Sequence, residues 1–329
     1  MCASPNPNPN PNPGLGPLFA SHLQTQLLER PQDFVNDQVP LVSAAARARL
    51  ALLDAEAAET DAAATASMRL VYNRIGKAGS SFMLSILAAL SEKNHFKLEN
   101  HDDYYPSKSV LAQQLGSLQN DAVYVNHAAF LNGTASDLIW INVVREPIPR
   151  WSSLFYYAVD VSLRGERAAT ELAARAKDTR CGCAGLEFYE CIEMRHHHNC
   201  SLKVPSQITS FCEPGEACSR GLATARVHAN YRLVGLTEEL EMTLKVLEKM
   251  LPRVFRGVTD ISTKGSPRAT SLGNKLTKTS LNGAIPDRAR KLIEAHAVNY
   301  KDEQLFYEDT KRLFWHQACE QRVLPYSPR

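Results

Sequence analysis

Met68-Arg69-Leu70-Val71-Tyr72-Asn73-Arg74-Ile75-Gly76-Lys77-Ala78-Gly79-Ser80-Ser81-Phe82 is the stretch on which the fold turns. Residues 68–72 are apolar and partly β-branched, the composition of a buried strand, and the apolar run at 82–90 has helical composition. Between them lies a loop with two glycines, a lysine and two serines. A strand, a loop of this kind and a helix together have the parts of a phosphate cradle; the alternative is a glycine-containing turn whose lysine faces water. Backbone N–H groups at the helix start point at the anion, glycine permits close approach, and Lys77 adds a positive charge. A Walker A loop would need glycine six residues before the lysine and Ser or Thr directly after it. Val71 and Ala78 occupy those places.

Working outward, residues 122–126 read as a second strand. Leu138-Ile-Trp-Ile-Asn-Val-Val144 is apolar enough to be a central strand buried on both faces. It ends at Arg145-Glu146-Pro147, where a Walker B strand would place an aspartate for magnesium. An arginine there suits a nucleotide carrying an extra phosphate and needing no metal. Residues 151–159 return to a helical pattern, Leu240, Leu244, Leu247 and Leu251 recur at helical spacing, and 286–314 reads as helical with Pro286 in a first turn. Strands alternating with helices predict an α/β fold with a central parallel sheet flanked by helices.

The rest of the chain bounds the function. Of 329 residues, 44% are hydrophobic and 22% charged, a globular composition. No apolar run reaches the roughly 18 residues of a membrane span, and the N-terminus lacks the order of a signal peptide. Residues 4–14 alternate Pro with Asn or Ser, and 43–66 are Ala-rich. The expected organisation is a disordered tail over 1–42, a helical stalk over 43–67, a catalytic domain over 68–315 and a C-terminal tail over 316–329. Residues 68–329 hold 34 basic and 28 acidic residues, a lean toward anionic partners. Five of eight cysteines lie between Cys181 and Cys212, with Cys218 just beyond, which reads as a local disulfide framework. The sequons at Asn132 and Asn199 point the same way. His196-His197-His198 has no standard metal spacing and reads as a solvated loop.

Several blocks in order resemble the uronyl 2-O-sulfotransferases and heparan sulfate 2-O-sulfotransferase. They are Tyr72-Asn-Arg-Ile-Gly-Lys-Ala-Gly-Ser80, Ile86 to Phe96, His127-Ala-Ala-Phe-Leu-Asn132, Ile141-Asn-Val-Val-Arg-Glu-Pro-Ile-Pro-Arg150 with Ser153, and Leu233-Val-Gly-Leu-Thr-Glu-Glu-Leu240. The resemblance covers roughly 68–315. It implies a P-loop-like sulfotransferase fold that uses 3′-phosphoadenosine 5′-phosphosulfate (PAPS) as co-substrate, with no metal. By matched position, Lys77, Gly79, Ser80 and Ser81 would surround the 5′-phosphosulfate, and Arg145 and Ser153 would hold the 3′-phosphate. His127 would be the general base, with Lys77 neutralising the leaving phosphate.

The same resemblance places Arg74 at the acceptor, with Arg150 and Arg164 as further candidates, and implies that Cys191 pairs with Cys200 and Cys212 with Cys218. Cys2, Cys181, Cys183 and Cys319 stay unassigned. The implied activity is sulfation of the 2-hydroxyl of a uronic acid in an anionic polysaccharide, in the Golgi lumen or secretory pathway, without nucleic acid. The basic segment 264–278 could close over PAPS or substrate, or be a solvated loop. The heparan enzyme has proline at the place of Gly76 and a second histidine at that of Val125. These departures leave open an inactive glycan-binding protein, whereas a nucleotide kinase conflicts with the Walker positions.

Overall fold

The computed structural model describes residues 68–134, 136–164, 181–183, 185–263 and 285–323, with side chains except at 158–164, 262 and 263. The expected tail and stalk, the basic segment 264–278 and the Arg164 side chain lie outside the described residues. The elements in chain order are β1 (Arg69–Asn73), α1 (Ser80–Asn94), β2 (Lys97–Asn100), α2 (Lys108–Gly116), β3 (Ala122–Asn126) and β4 (Leu138–Val144). Then come α3 (Pro147–Arg164), α4 (Phe188–His197), a 3-10 turn (Ile208–Phe211), α5 (Arg220–Asn230), β5 (Tyr231–Leu236), α6 (Leu240–Met250), α7 (Pro252–Phe255), α8 (Val258–Thr263), α9 (Asp287–His296) and α10 (Tyr300–Glu320).

All strand pairs are parallel, in the order β2-β3-β1-β4-β5. Helices cover the sheet, so its inner strands are buried on both faces, as the largely apolar composition of β3 and β4 requires. β1 lies at the centre with β3 and β4 on opposite sides. The loops leaving these three strands therefore open at one end of the sheet, where parallel α/β folds place their sites.

A second, smaller core gathers Ile148, Tyr156, Phe188, Ile192, Leu202, Val204 and Ile293. It joins α3, α4 and α9; two of the disulfides flank α4, while Cys212 and Cys218 pack with the main core. Here the structure corrects the expected pairing. Cys191 is bonded to Cys183, and Cys200 to Cys181; Cys212 is bonded to Cys218. Arg195 shows why: its guanidinium donates to the carbonyls of both Cys181 and Ser201, at 2.9 and 2.7 Å, drawing the segment before α4 against the segment after it. Cys319 is also disulfide-bonded, and no cysteine among the described residues is free.

Two other expectations change. His196 and His197 close α4 rather than forming a loop, and the His196 ring packs on His296 at 4.3 Å. The last helix crosses the boundary expected at 315 and runs to Glu320, because Phe314, Gln317 and Ala318 are all buried on its inner face. Asn132 and Asn199 are both exposed. No helix among the described residues is long and apolar enough to cross a membrane.

Candidate active site

The loop from β1 to α1 is shaped by two residues in left-handed backbone conformation, Lys77 at φ 64° and Gly79 at φ 71°. Glycine adopts that region without penalty, whereas for lysine it costs about 1–2 kcal/mol. Such strain persists only where the surroundings enforce it. Here the enforcement is visible. Arg145 Nη1 donates to the Lys77 carbonyl at 3.3 Å, and Arg150 Nε donates to the Gly76 carbonyl at 2.9 Å. Gly79 caps α1 without any side-chain hydrogen bond, so the N–H groups of Ser80 and Ser81 begin the helix uncovered by a cap. Those donors and the helix dipole favour an anion at this end.

Lys77 Nζ sits 4.5 Å from the centre of the Tyr157 ring, a cation–π contact that holds the ammonium beside the loop. Thr237, just past β5, lies 3.8 Å from where a Gly79 side chain would begin. The cradle is thus walled by the ends of β1, β4 and β5.

Arg145 leaves the end of β4, half-buried, with its backbone fixed from both sides. Gln207 Oε1 accepts from Arg145 N at 2.9 Å, and Gln207 Nε2 donates to Arg145 O at 2.7 Å. Gln207 is in turn held by Glu303, whose carboxylate accepts from Gln207 N at 2.9 Å. The Arg145 guanidinium faces Glu238 at 3.9 Å, a loose contact, with Nη1 on the Lys77 carbonyl. Ser153 lies buried on the second turn of α3.

Arg150 differs from the expected acceptor contact. It is only 5% exposed, and its Nε and Nη1 donate to the carbonyls of Gly76 and Pro205. Burial lowers its pKa and the Glu303 charge works the other way. The geometry makes it a brace under the loop between β1 and α1. Arg74, half-buried at the start of that loop, is the contrasting case: its Nε is buried with no hydrogen-bond partner. An unpartnered guanidinium nitrogen at a cationic loop is costly unless an anion completes it.

His127 follows β3 on the other side of β1, and is 8% exposed. Its Nδ1 lies 3.0 Å from the Arg74 carbonyl oxygen. A carbonyl can only accept, so Nδ1 carries the proton and Nε2 keeps its lone pair. Burial, with the Arg74 charge second, pushes the imidazole pKa down to about 4, against a smaller upward pull from the carbonyl contact. The ring is therefore neutral at pH 7, in the tautomer of a base acting through Nε2.

Because the folded pKa lies below the unfolded value, the native state prefers neutral His127. The stability this gives is present above about pH 6.5 and is lost as pH falls toward 4. Ring-proton NMR of the unliganded protein should find His127 titrating near pH 4 from the Nδ1–H tautomer. A midpoint near 6.5, or an Nε2–H resonance, would contradict this account of the base.

A row of asparagines ties the segments carrying His127 and the loop together. Asn73 and Asn126 are register partners at the ends of β1 and β3, and Asn142 on β4 donates to both the Asn73 carbonyl (2.7 Å) and Asn73 Oδ1 (3.0 Å). Tyr231 donates to the same Oδ1, Asn73 Nδ2 donates to Ser210 O at 2.9 Å, and Arg74 N donates to Asn126 O at 2.8 Å. Asn73 and Asn126 close apolar strands and Asn142 interrupts one, the sequence signal by which this network could be found. Gln207 and Glu303 carried none, because their partners are backbone groups distant in sequence.

The loop residues Lys77, Gly79, Ser80 and Ser81 thus meet Arg145 on one side and Arg74 with His127 on the other. The sulfotransferase family profile matches residues 62–308. This chain belongs to the sulfotransferase family. Uronyl 2-sulfotransferase of Homo sapiens is 30% identical over 264 residues, covering 75% of this chain and 62% of that protein. Heparan sulfate 2-O-sulfotransferase 1 of Mus musculus is 28% identical over 276 residues, 72% of this chain and 74% of that protein. The chain spans less than two thirds of the uronyl relatives' length. Among the described residues of this sulfotransferase-family chain, no group of three or more His, Cys, Asp or Glu is placed to hold a metal ion.

Proposed function

We propose that this protein transfers the sulfuryl group of PAPS to the 2-hydroxyl of a uronic acid in a glycosaminoglycan-like polysaccharide. The observation that carries the reading is the pairing of a neutral, Nε2-basic His127 with a strained cationic phosphate loop on the adjacent strand. In the reaction the acceptor oxygen bonds to sulfur, the bond from sulfur to the bridging phosphate oxygen breaks, and the hydroxyl proton passes to His127 Nε2. A positioned base of this kind is what an alcohol nucleophile requires. Charge grows on the departing phosphate, and Lys77 and the N–H groups of Ser80 and Ser81 supply fixed compensation there.

Arg145, with Ser153, is assigned to the 3′-phosphate, the feature that distinguishes PAPS from an ordinary adenylate. Arg74, half-buried at the start of the loop, is assigned to the acceptor's carboxylate. The disulfides accord with an oxidising compartment, and we assign the protein to the Golgi or secretory pathway. Incubation with labelled PAPS and uronic acid polysaccharides, in the presence of a chelator, is expected to label the polysaccharide. Absence of label across chondroitin, dermatan and heparan acceptors would contradict the proposal.

A further inference from the structure

Tyr104 lies flat against the base. Its ring is 4.7 Å from the His127 ring with 11° between their planes, yet the residue is 67% exposed. One face is therefore used by the imidazole and the other is open to solvent. Tyr105 beside it is 59% exposed. Two adjacent, largely exposed aromatic side chains need a reason, because water covers such surface at a cost.

The segment that carries them is held, not loose. His101 N donates to Val125 O at 2.9 Å and Tyr105 N donates to His127 O at 2.7 Å, so the chain runs along the end of β3. Asp103 accepts from Gln114 Nε2 at 2.9 Å and from Asn126 Nδ2 at 3.0 Å, fixing the residue just before Tyr104. An exposed ring on a fixed backbone is a preorganised contact surface.

What it contacts follows from its place. The sheet order puts β3 and β4 on opposite sides of β1, so Arg145 and Tyr104 lie on opposite sides of the phosphate loop. A nucleotide spanning the loop and Arg145 extends away from Tyr104, which leaves the tyrosine on the acceptor's side. A pyranose presents an apolar face of C–H groups that suits the face of an aromatic ring.

Charge narrows the choice. Asn100-His-Asp-Asp-Tyr-Tyr-Pro-Ser107 contains two aspartates and no lysine or arginine, and the flanking Lys97 and Lys108 are already engaged by Glu99 and Glu213. A sulfated or carboxylated ring over the open face would lie beside these aspartates, of which Asp103 is held by neutral amides, while the Arg74 charge acts on the His127 ring at the other face.

We propose that the open face of Tyr104 is the floor of an acceptor subsite for an uncharged pyranose, the ring neighbouring the one that is sulfated. In an alternating polysaccharide that neighbour is an amino sugar without sulfate. The inference rests on the transferase reading for the placement of acceptor and cofactor, but its test does not depend on turnover.

The experiment is binding of unsulfated chondroitin hexasaccharide, and of its hexosamine-sulfated counterpart, to the PAP-bound protein by calorimetry. Saturation-transfer NMR from the aromatic protons accompanies it. Wild type should bind the unsulfated hexasaccharide more tightly and show saturation on one face of a hexosamine. Tyr104→Ala should weaken that binding by about three- to tenfold and abolish the aromatic transfer, and Tyr104→Phe should keep both. PAP affinity unchanged in each variant shows that the fold is intact. Equal hexasaccharide affinity in wild type and Tyr104→Ala, tighter binding of the sulfated form, or no hexasaccharide binding at all would overturn the subsite. If wild type binds as described but transfers no sulfate from PAPS, the subsite stands and the transferase reading falls.

Discussion

His127→Ala is expected to lower sulfate transfer by about 10²–10⁴-fold while PAP affinity stays close to wild type. The size follows from removing a positioned base, and the selectivity from the layout of the sheet. His127 stands on the β3 side of the loop, whereas the groups assigned to the nucleotide leave β1 and β4. Two features of His127 reach the loop: the Nδ1 contact with the Arg74 carbonyl and the approach of its Cε1 to Gly76, where a side chain would begin 3.9 Å away. Losing them relaxes the loop slightly. Losing the lone pair at Nε2 removes the only group on the β3 side assigned to the acceptor proton. A folded His127→Ala protein transferring sulfate at near wild-type rate would show that the base lies elsewhere.

Arg145→Ala is expected to weaken PAP binding by about 10–100-fold, the worth of hydrogen bonds to a charged group, which is about 1.5–3 kcal/mol. The loss should be specific to the 3′-phosphate. Adenosine 5′-phosphate, which lacks that group, should bind wild type and variant with similar affinity. Calorimetric titrations of both nucleotides against both proteins separate this role from a general weakening of the loop, which Arg145 also braces through the Lys77 carbonyl. Equal losses for the two nucleotides would make Arg145 a brace only.

The legible part of this protein was the part whose residues speak locally. β1, β3 and β4 were readable because each is an apolar run ended by a polar residue, and the loop after β1 because glycines, lysine and serines have few other reasons to follow a buried strand. β2, Lys97-Leu-Glu-Asn100, lies at the sheet's edge with exposed ends and gives no such run. The helix before Trp151 was also hidden, since Pro147 and Pro149 read as breakers although proline is tolerated in a first turn.

The site itself divides in the same way. Cationic residues beside the loop could be found, but not how deeply each is buried or what it bonds to. Arg74 and Arg150 look alike in sequence, yet one keeps an unpartnered nitrogen and the other is enclosed and bonded to two carbonyls. Burial and backbone partners decide that difference, and neither has a local signature. Disulfide connectivity is equally nonlocal: Cys181, Cys183, Cys191 and Cys200 allow three pairings, and Arg195 bridging Cys181 and Ser201 accompanies the one formed.

The central claim is that a base on β3 and a phosphate loop on β1 direct sulfate to one hydroxyl of a uronic acid. Its most direct test is to label chondroitin, dermatan and heparan acceptors with the wild-type protein and PAPS, digest the products to disaccharides, and locate the new sulfate by mass spectrometry. The account predicts sulfate at the 2-position of the uronic acid in at least one acceptor, and its loss with His127→Ala. Sulfate found only on the amino sugar, or no sulfate on any acceptor, would contradict it.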